Sequence, residues 1–127
     1  MKILGTGIDI VETARIAESI KRHGEKFLAR VFTAGEREYC AAMRKPETFY
    51  AARFAAKEAI SKAFGTGFGA QLGWLDIDIR RKASGEPFVI LSGDGAATAK
   101  RLGVTEIRIS MSHSDHYAVA NALAIGG

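Results

Sequence analysis

The chain has 127 residues, 47% of them hydrophobic and 25% charged, and its 18 Lys+Arg against 14 Asp+Glu leave a formal charge of +4. Those proportions fit a folded globular protein, expected as one domain over residues 1–127, and exclude a disordered or fibrous chain. No stretch approaches the roughly 20 apolar residues of a membrane span, and the apolar run after Lys2 is too short for a secretory leader, so the sequence reads as cytoplasmic.

In chain order, residues 2–11 (KILGTGIDIV) are rich in β-branched side chains and predict a first strand, with Gly5 and Gly7 leaving its backbone open to close approach. A helix is expected over 12–23, ended by Gly24. Thr33-Ala34-Gly35-Glu36 has the S/T-x-x-E form of a capping box and predicts a second helix to about Arg44. Pro46 suits the first turn of a long helix that ends at Phe64, before Gly65. The four glycines of residues 65–73 predict a loop, and the alternation in 74–82 predicts a half-exposed strand that forms a hairpin with 87–91. A short helix over 94–102, a strand over 106–112, a turn near Ser114 and a strand over 117–125 complete an α+β order: an antiparallel sheet packed on the long central helix.

Cys40 is the only cysteine, which excludes an intrachain disulfide and a multi-thiolate zinc site. The 21 alanines supply little buried area per side chain, a composition that favours self-association as a source of further burial.

Three placements of polar residues are unusual. Asp9 lies between Ile8 and Ile10 in a strand that carries no other charge after Lys2. A buried carboxylate is costly unless paired or bound to a cation, although a strand-end Asp capping the next helix is the simpler reading. On the long helix, Arg53 falls within the apolar stripe, while Glu58 and Lys62, four apart, share a face crowded with alanine. An ordinary ion pair is the simpler reading there. Ser110-Met111-Ser112-His113 ends a strand with two hydroxyls on one face, which suits a phosphate or a base edge, or is a plain polar strand end.

Taken together, Gly7-x-Asp9, Phe54-x-x-Lys57-Glu58-x-x-x-Lys62 and Ser110-x-Ser112-His113 resemble the small-type 4′-phosphopantetheinyl transferases, in the same order and over nearly the whole chain. The resemblance implies transfer of 4′-phosphopantetheine from coenzyme A to a serine of apo acyl carrier protein, with release of adenosine 3′,5′-bisphosphate and fatty acid biosynthesis as the setting. It implies Mg²⁺ held by Asp9 and Glu58, with Glu58 as candidate base and Lys62 beside the leaving phosphate. It further implies coenzyme A contacts from Arg53, Lys57, Ser61, Gly65, Thr66, Gly67, Ser112 and His113. Carrier docking is expected on a basic face built from Arg15, Lys21, Arg22 and Lys26. Val11 stands where longer family members carry a second acid, so the chain resembles the short branch, in which three copies form a homotrimer with active sites between neighbours.

Two rival readings are a small basic nucleic-acid module, suggested by an isoelectric point near 9.4, and a coenzyme A binder without turnover. The first is opposed by basic residues spread over several elements and by the lack of an RNA-binding aromatic motif. The second is opposed by the joint presence of Asp9, Glu58 and Lys62. Neither nucleic acid nor a membrane is expected as a partner.

Overall fold

The computed structural model describes residues 1–127. Strand β1 (Lys2–Glu12) leads into helices α1 (Thr13–His23), α2 (Glu25–Val31), α3 (Ala34–Ala41) and the long α4 (Pro46–Phe64). Strands β2 (Ile77–Arg81) and β3 (Pro87–Leu91), helix α5 (Gly93–Leu102) and strands β4 (Val104–His113) and β5 (Tyr117–Gly126) follow. β1, β5 and β4 form an antiparallel sheet in that order, and β2 and β3 form a separate hairpin. The α+β expectation, an antiparallel sheet on a long central helix, holds.

The alanines have a packing reason. On β5, alternate residues Ala118, Ala120, Ala122 and Ala124 are buried, and on α4 so are Ala52, Ala56, Ala59 and Ala63. Small side chains on both partners let helix and sheet backbones approach closely. At Gly7, a Cβ would lie 1.9 Å from the Ala59 carbonyl oxygen, and at Gly5 the same distance from that of Ala63. The two glycines therefore seat β1 directly on α4, and Asp9 rides on that contact.

Several element boundaries differ from expectation. The first helix ends at Gly24, at φ 52°, as expected, but a separate seven-residue α2 follows that is too short to show a helical period in the sequence. Lys26 therefore belongs to α2 and is not one turn further along the helix that carries Arg22. The capping box of Thr33 and Glu36 forms as expected, but α3 stops at Ala41. Trp74–Asp76 make a single 3₁₀ turn instead of starting a strand. The Asp76 carboxylate accepts the amides of Gly73 (2.8 Å) and Gly95 (3.0 Å), which ties that turn to the start of α5.

A buried ion pair fastens these elements to α4. Lys57 Nζ lies 2.7 Å from Glu36 Oε1 and donates to the carbonyls of Val31 (2.7 Å) and Trp74 (3.0 Å). Glu36 also accepts the amides of Thr33 and Ile79, so one carboxylate and one ammonium join α2, α3, α4 and β2. Burial pushes the Lys57 pKa down, against the pull of Glu36.

Candidate active site

Asp9 projects from β1 toward α4, its side chain 18% exposed, and Lys62 Nζ reaches it at 3.2 Å while donating to the Ile8 carbonyl at 2.9 Å. The expected Glu58–Lys62 pair is thus replaced by a pairing across elements, since Lys62 turns to Asp9. Glu58 lies one turn before Lys62, and its pKa is raised, first by burial and then by the Asp9 charge, with Lys62 and Arg15 opposing. Two carboxylates that repel one another in a partly desolvated cleft favour a cation between them. No group of three or more His, Cys, Asp or Glu residues could enclose a metal. A pair of carboxylates fits Mg²⁺, which commonly takes one or two from the protein and completes its shell with water and substrate phosphates.

Beyond Lys62 the helix closes on Gly65, in the left-handed region at φ 76°. The Gly65 amide donates to the Ser61 and Lys62 carbonyls, and the Gly67 amide to that of Ser61. Both glycine amides are therefore occupied by the helix cap, which removes them as phosphate donors. What the Gly65-Thr66-Gly67 turn offers is space, with no atom within 4 Å of either missing glycine Cβ. Two further expectations are corrected. Lys57 is fully buried in its ion pair, and Ser61 is 2% exposed with its hydroxyl bonded to the Glu58 carbonyl. Both hold the scaffold of α4 and present no group to a ligand of this chain.

The remaining candidates do not converge on Asp9 and Glu58. At about 100° per residue, Arg53 lies roughly 140° around α4 from Glu58. Its guanidinium stacks on Tyr39 at 4.3 Å, Tyr39 meets Phe49, and the Phe49 ring is 4.8 Å from His113. Arg53 and His113 thus occupy the flank of α4 opposite Asp9. Ser112, opposite Val119 in the register, is on the open face of the sheet. Beside His113 and Phe49 is a cavity of about 670 Å³ that also contains Arg44 and Lys45, which sequence reasoning passed over. Their only signal was a basic pair directly before Pro46.

On α1, Lys21, Arg22 and His23 make up a basic last turn, and Arg15 lies over the Phe54 ring at 5.9 Å. The open face of the sheet carries Ile8 and Ile10, each 66% exposed, in a protein where no helix is long and apolar enough to cross a membrane.

This arrangement, a strand carboxylate facing a helix carboxylate with a lysine one turn on, coincides with a family-wide match. Residues 5–122 fit the profile of the 4′-phosphopantetheinyl transferase superfamily, and the chain belongs to it. More particularly, it is 50% identical over 121 residues to the holo-[acyl-carrier-protein] synthase of Moorella thermoacetica, covering 95% of this chain and 93% of that one. The crystal structure of the synthase of that name from Neisseria meningitidis superposes with a TM-score of 0.91 at 32% identity, covering 98% and 99% of the two chains. That from Helicobacter pylori, in complex with coenzyme A, gives 0.85 at 33% identity over 94% and 99%.

Proposed function

We propose that this chain transfers 4′-phosphopantetheine from coenzyme A to a serine hydroxyl of apo acyl carrier protein, in the cytoplasm and for fatty acid biosynthesis. The observation that carries the reading is the Asp9–Glu58 carboxylate pair with Lys62 at its edge, in a chain whose H. pylori relative binds coenzyme A. In the reaction the serine oxygen forms a new bond to the phosphorus that bears pantetheine. The bridge to adenosine 3′,5′-bisphosphate breaks, and that bisphosphate leaves.

Asp9 and Glu58 would hold Mg²⁺, which when bound supplies positive charge to the pyrophosphate. Glu58 takes the serine proton, directly or through water. Without a cation, burial and the Asp9 charge hold its pKa above the ordinary carboxylate value, and a cation shared with Asp9 would pull it back down. Lys62, half-exposed, can leave Asp9 to meet the negative charge on the departing bisphosphate. Positioning and charge neutralisation are the main demands of this class of transfer.

Arg53 and His113 lie across α4 from this group, so one coenzyme A touching both sets requires two chains. A homotrimer with shared sites satisfies that requirement, and the exposed Ile8 and Ile10 supply an apolar face for the neighbouring copy. Arg15, Lys21 and Arg22 on α1, with Lys26 at the start of α2, form the docking face for the acidic carrier, whose attraction speeds encounter and weakens with salt.

The test is intact-mass measurement of apo acyl carrier protein incubated with coenzyme A, Mg²⁺ and this protein. The carrier gains one phosphopantetheine, and the gain is lost with EDTA, Asp9→Ala or Glu58→Ala. No gain with wild type across several carriers would overturn the assignment.

A further inference from the structure

The Glu36–Lys57 pair lies wholly out of water, both side chains 0% exposed. A well-packed apolar pair of similar volume is commonly as stable, because desolvation offsets the attraction of two buried charges. What the ion pair adds is direction, since hydrogen bonds are angular and apolar contact is not. The three protons of the Lys57 ammonium match three acceptors on separate elements. Glu36 on α3 and the Val31 carbonyl on α2 each lie at 2.7 Å, and the Trp74 carbonyl of the 3₁₀ turn at 3.0 Å. Two of these acceptors are held in turn. Glu36 takes the amides of Thr33 and Ile79, and the Trp74 ring stacks on those of Phe54 and Phe68, with centroids 5.2 and 3.7 Å away.

Direction matters on α4 because its packing is smooth. The helix meets the sheet through alanines on both partners, Ala52, Ala56, Ala59 and Ala63 on α4 and Ala118, Ala120, Ala122 and Ala124 on β5. Methyl groups interlock too shallowly to oppose a roll about the helix axis. The seat of Gly5 and Gly7 on the Ala63 and Ala59 carbonyls sets the distance from β1 to α4. At about 100° per residue, Lys57 lies roughly 160° around the helix from Ala59, and Glu58 falls midway between the two. Glu58 is thus bracketed by a backbone contact on one side of α4 and a saturated ammonium on the other.

We propose that Lys57 is a positioning residue: its ammonium fixes the roll of α4 and so aims Glu58 and Lys62 at Asp9. Its effect on rate rests on the transferase reading, whereas its effect on the helix does not. A carboxylate roughly 6 Å from the helix axis travels about 1 Å for a roll of about 10°. A displacement of that size at reacting groups costs on the order of 100-fold in rate.

The test uses Lys57→Met/Glu36→Gln, which removes the ammonium without stranding a buried carboxylate and so serves even where Lys57→Met alone fails to fold. Carrier mass gain, followed well below each Tm, gives kcat and the KM for coenzyme A, and crystal structures of wild type and the double variant are superposed on β1. The double variant loses kcat about 100-fold with KM within about twofold, and its α4 is rolled by about 10°. Glu36→Gln alone leaves Lys57 an oxygen acceptor and keeps kcat within about threefold. Val104→Ala, which weakens the core through a cavity, keeps the wild-type kcat. A double variant with wild-type kcat, or one that loses kcat with α4 in its original roll, would overturn the role of Lys57. So would an equal loss in Val104→Ala, because kcat would then follow stability alone. A wild type that transfers nothing, beside a double variant with a rolled helix, would end the transferase assignment and leave the hold of Lys57 on α4 standing.

Discussion

Gly7→Ala tests whether the close seat of β1 on α4 sets up the carboxylate pair. The added methyl would fall 1.9 Å from the Ala59 carbonyl oxygen and 2.9 Å from the Ala63 nitrogen, both main-chain atoms that no rotamer can clear. Bringing the closer contact to about 3.0 Å requires strand and helix to separate by roughly 1.1 Å at that point, two residues from Asp9. Overpacking of this kind costs about 3 kcal/mol, or a Tm lowered by about 10 °C for a chain of this size. An ångström of misplacement at reacting groups costs on the order of 100-fold in rate. Initial rates of carrier mass gain and thermal melts, both at saturating coenzyme A, read the two effects. Gly69→Ala, with open space around its Cβ position, serves as the control and stays near wild type. A Gly7→Ala protein that melts within about 2 °C of wild type and turns over at a similar rate would refute the argument.

Lys57→Met leaves the Glu36 carboxylate buried without its cation and is expected to cost about 3–5 kcal/mol in urea unfolding. The double variant Lys57→Met/Glu36→Gln is less destabilised than the single one, and an equal or greater loss would exclude uncompensated charge as the cause. Glu58→Gln raises Tm at pH 7–8 while abolishing transfer. The folded-state pKa of Glu58 stands above its ordinary 4.5, so the native chain binds that proton more tightly than the unfolded one. Wild-type stability then falls as pH rises from about 4.5 through the folded pKa, and the advantage of Gln shrinks as pH is lowered through the same range. A Tm difference independent of pH would contradict this. Under the proposed homotrimer, Ile10→Glu places a charge on the open sheet face and is expected to give single chains by light scattering, with loss of transfer. An unchanged mass would remove that face from the interface.

The elements around the carboxylate pair were legible because each carries a local signal: an acid inside an apolar strand, a capping box, a proline at a helix start, glycines at its end. Asp9, Glu58 and Lys62 stood out for the same reason, as charges in runs of β-branched residues or alanine. The Glu36–Lys57 pair gave no such signal. Its partners come from separate helices, and a lysine in a helix reads as solvent-facing until the tertiary fold closes over it. The same applies to Ser61, whose hydroxyl turns back on its own helix. Helix α2 escaped because its seven residues are too few to display a helical period in the sequence. Which flank of α4 each residue faces follows from periodicity, but that β4 and β1 cover opposite flanks is a matter of strand order, which no local pattern encodes.

Placing Asp9 and Glu58 on one side of α4 and Arg53 and His113 on the other has a genetic consequence under the shared-site reading. A chain damaged on one flank still presents a sound opposite flank to its neighbour. Two inactive proteins, one altered at Asp9 and the other at His113, would then rescue each other when refolded together, because a mixed assembly contains some junctions built from two intact halves. A site held within one chain could never be rescued in this way.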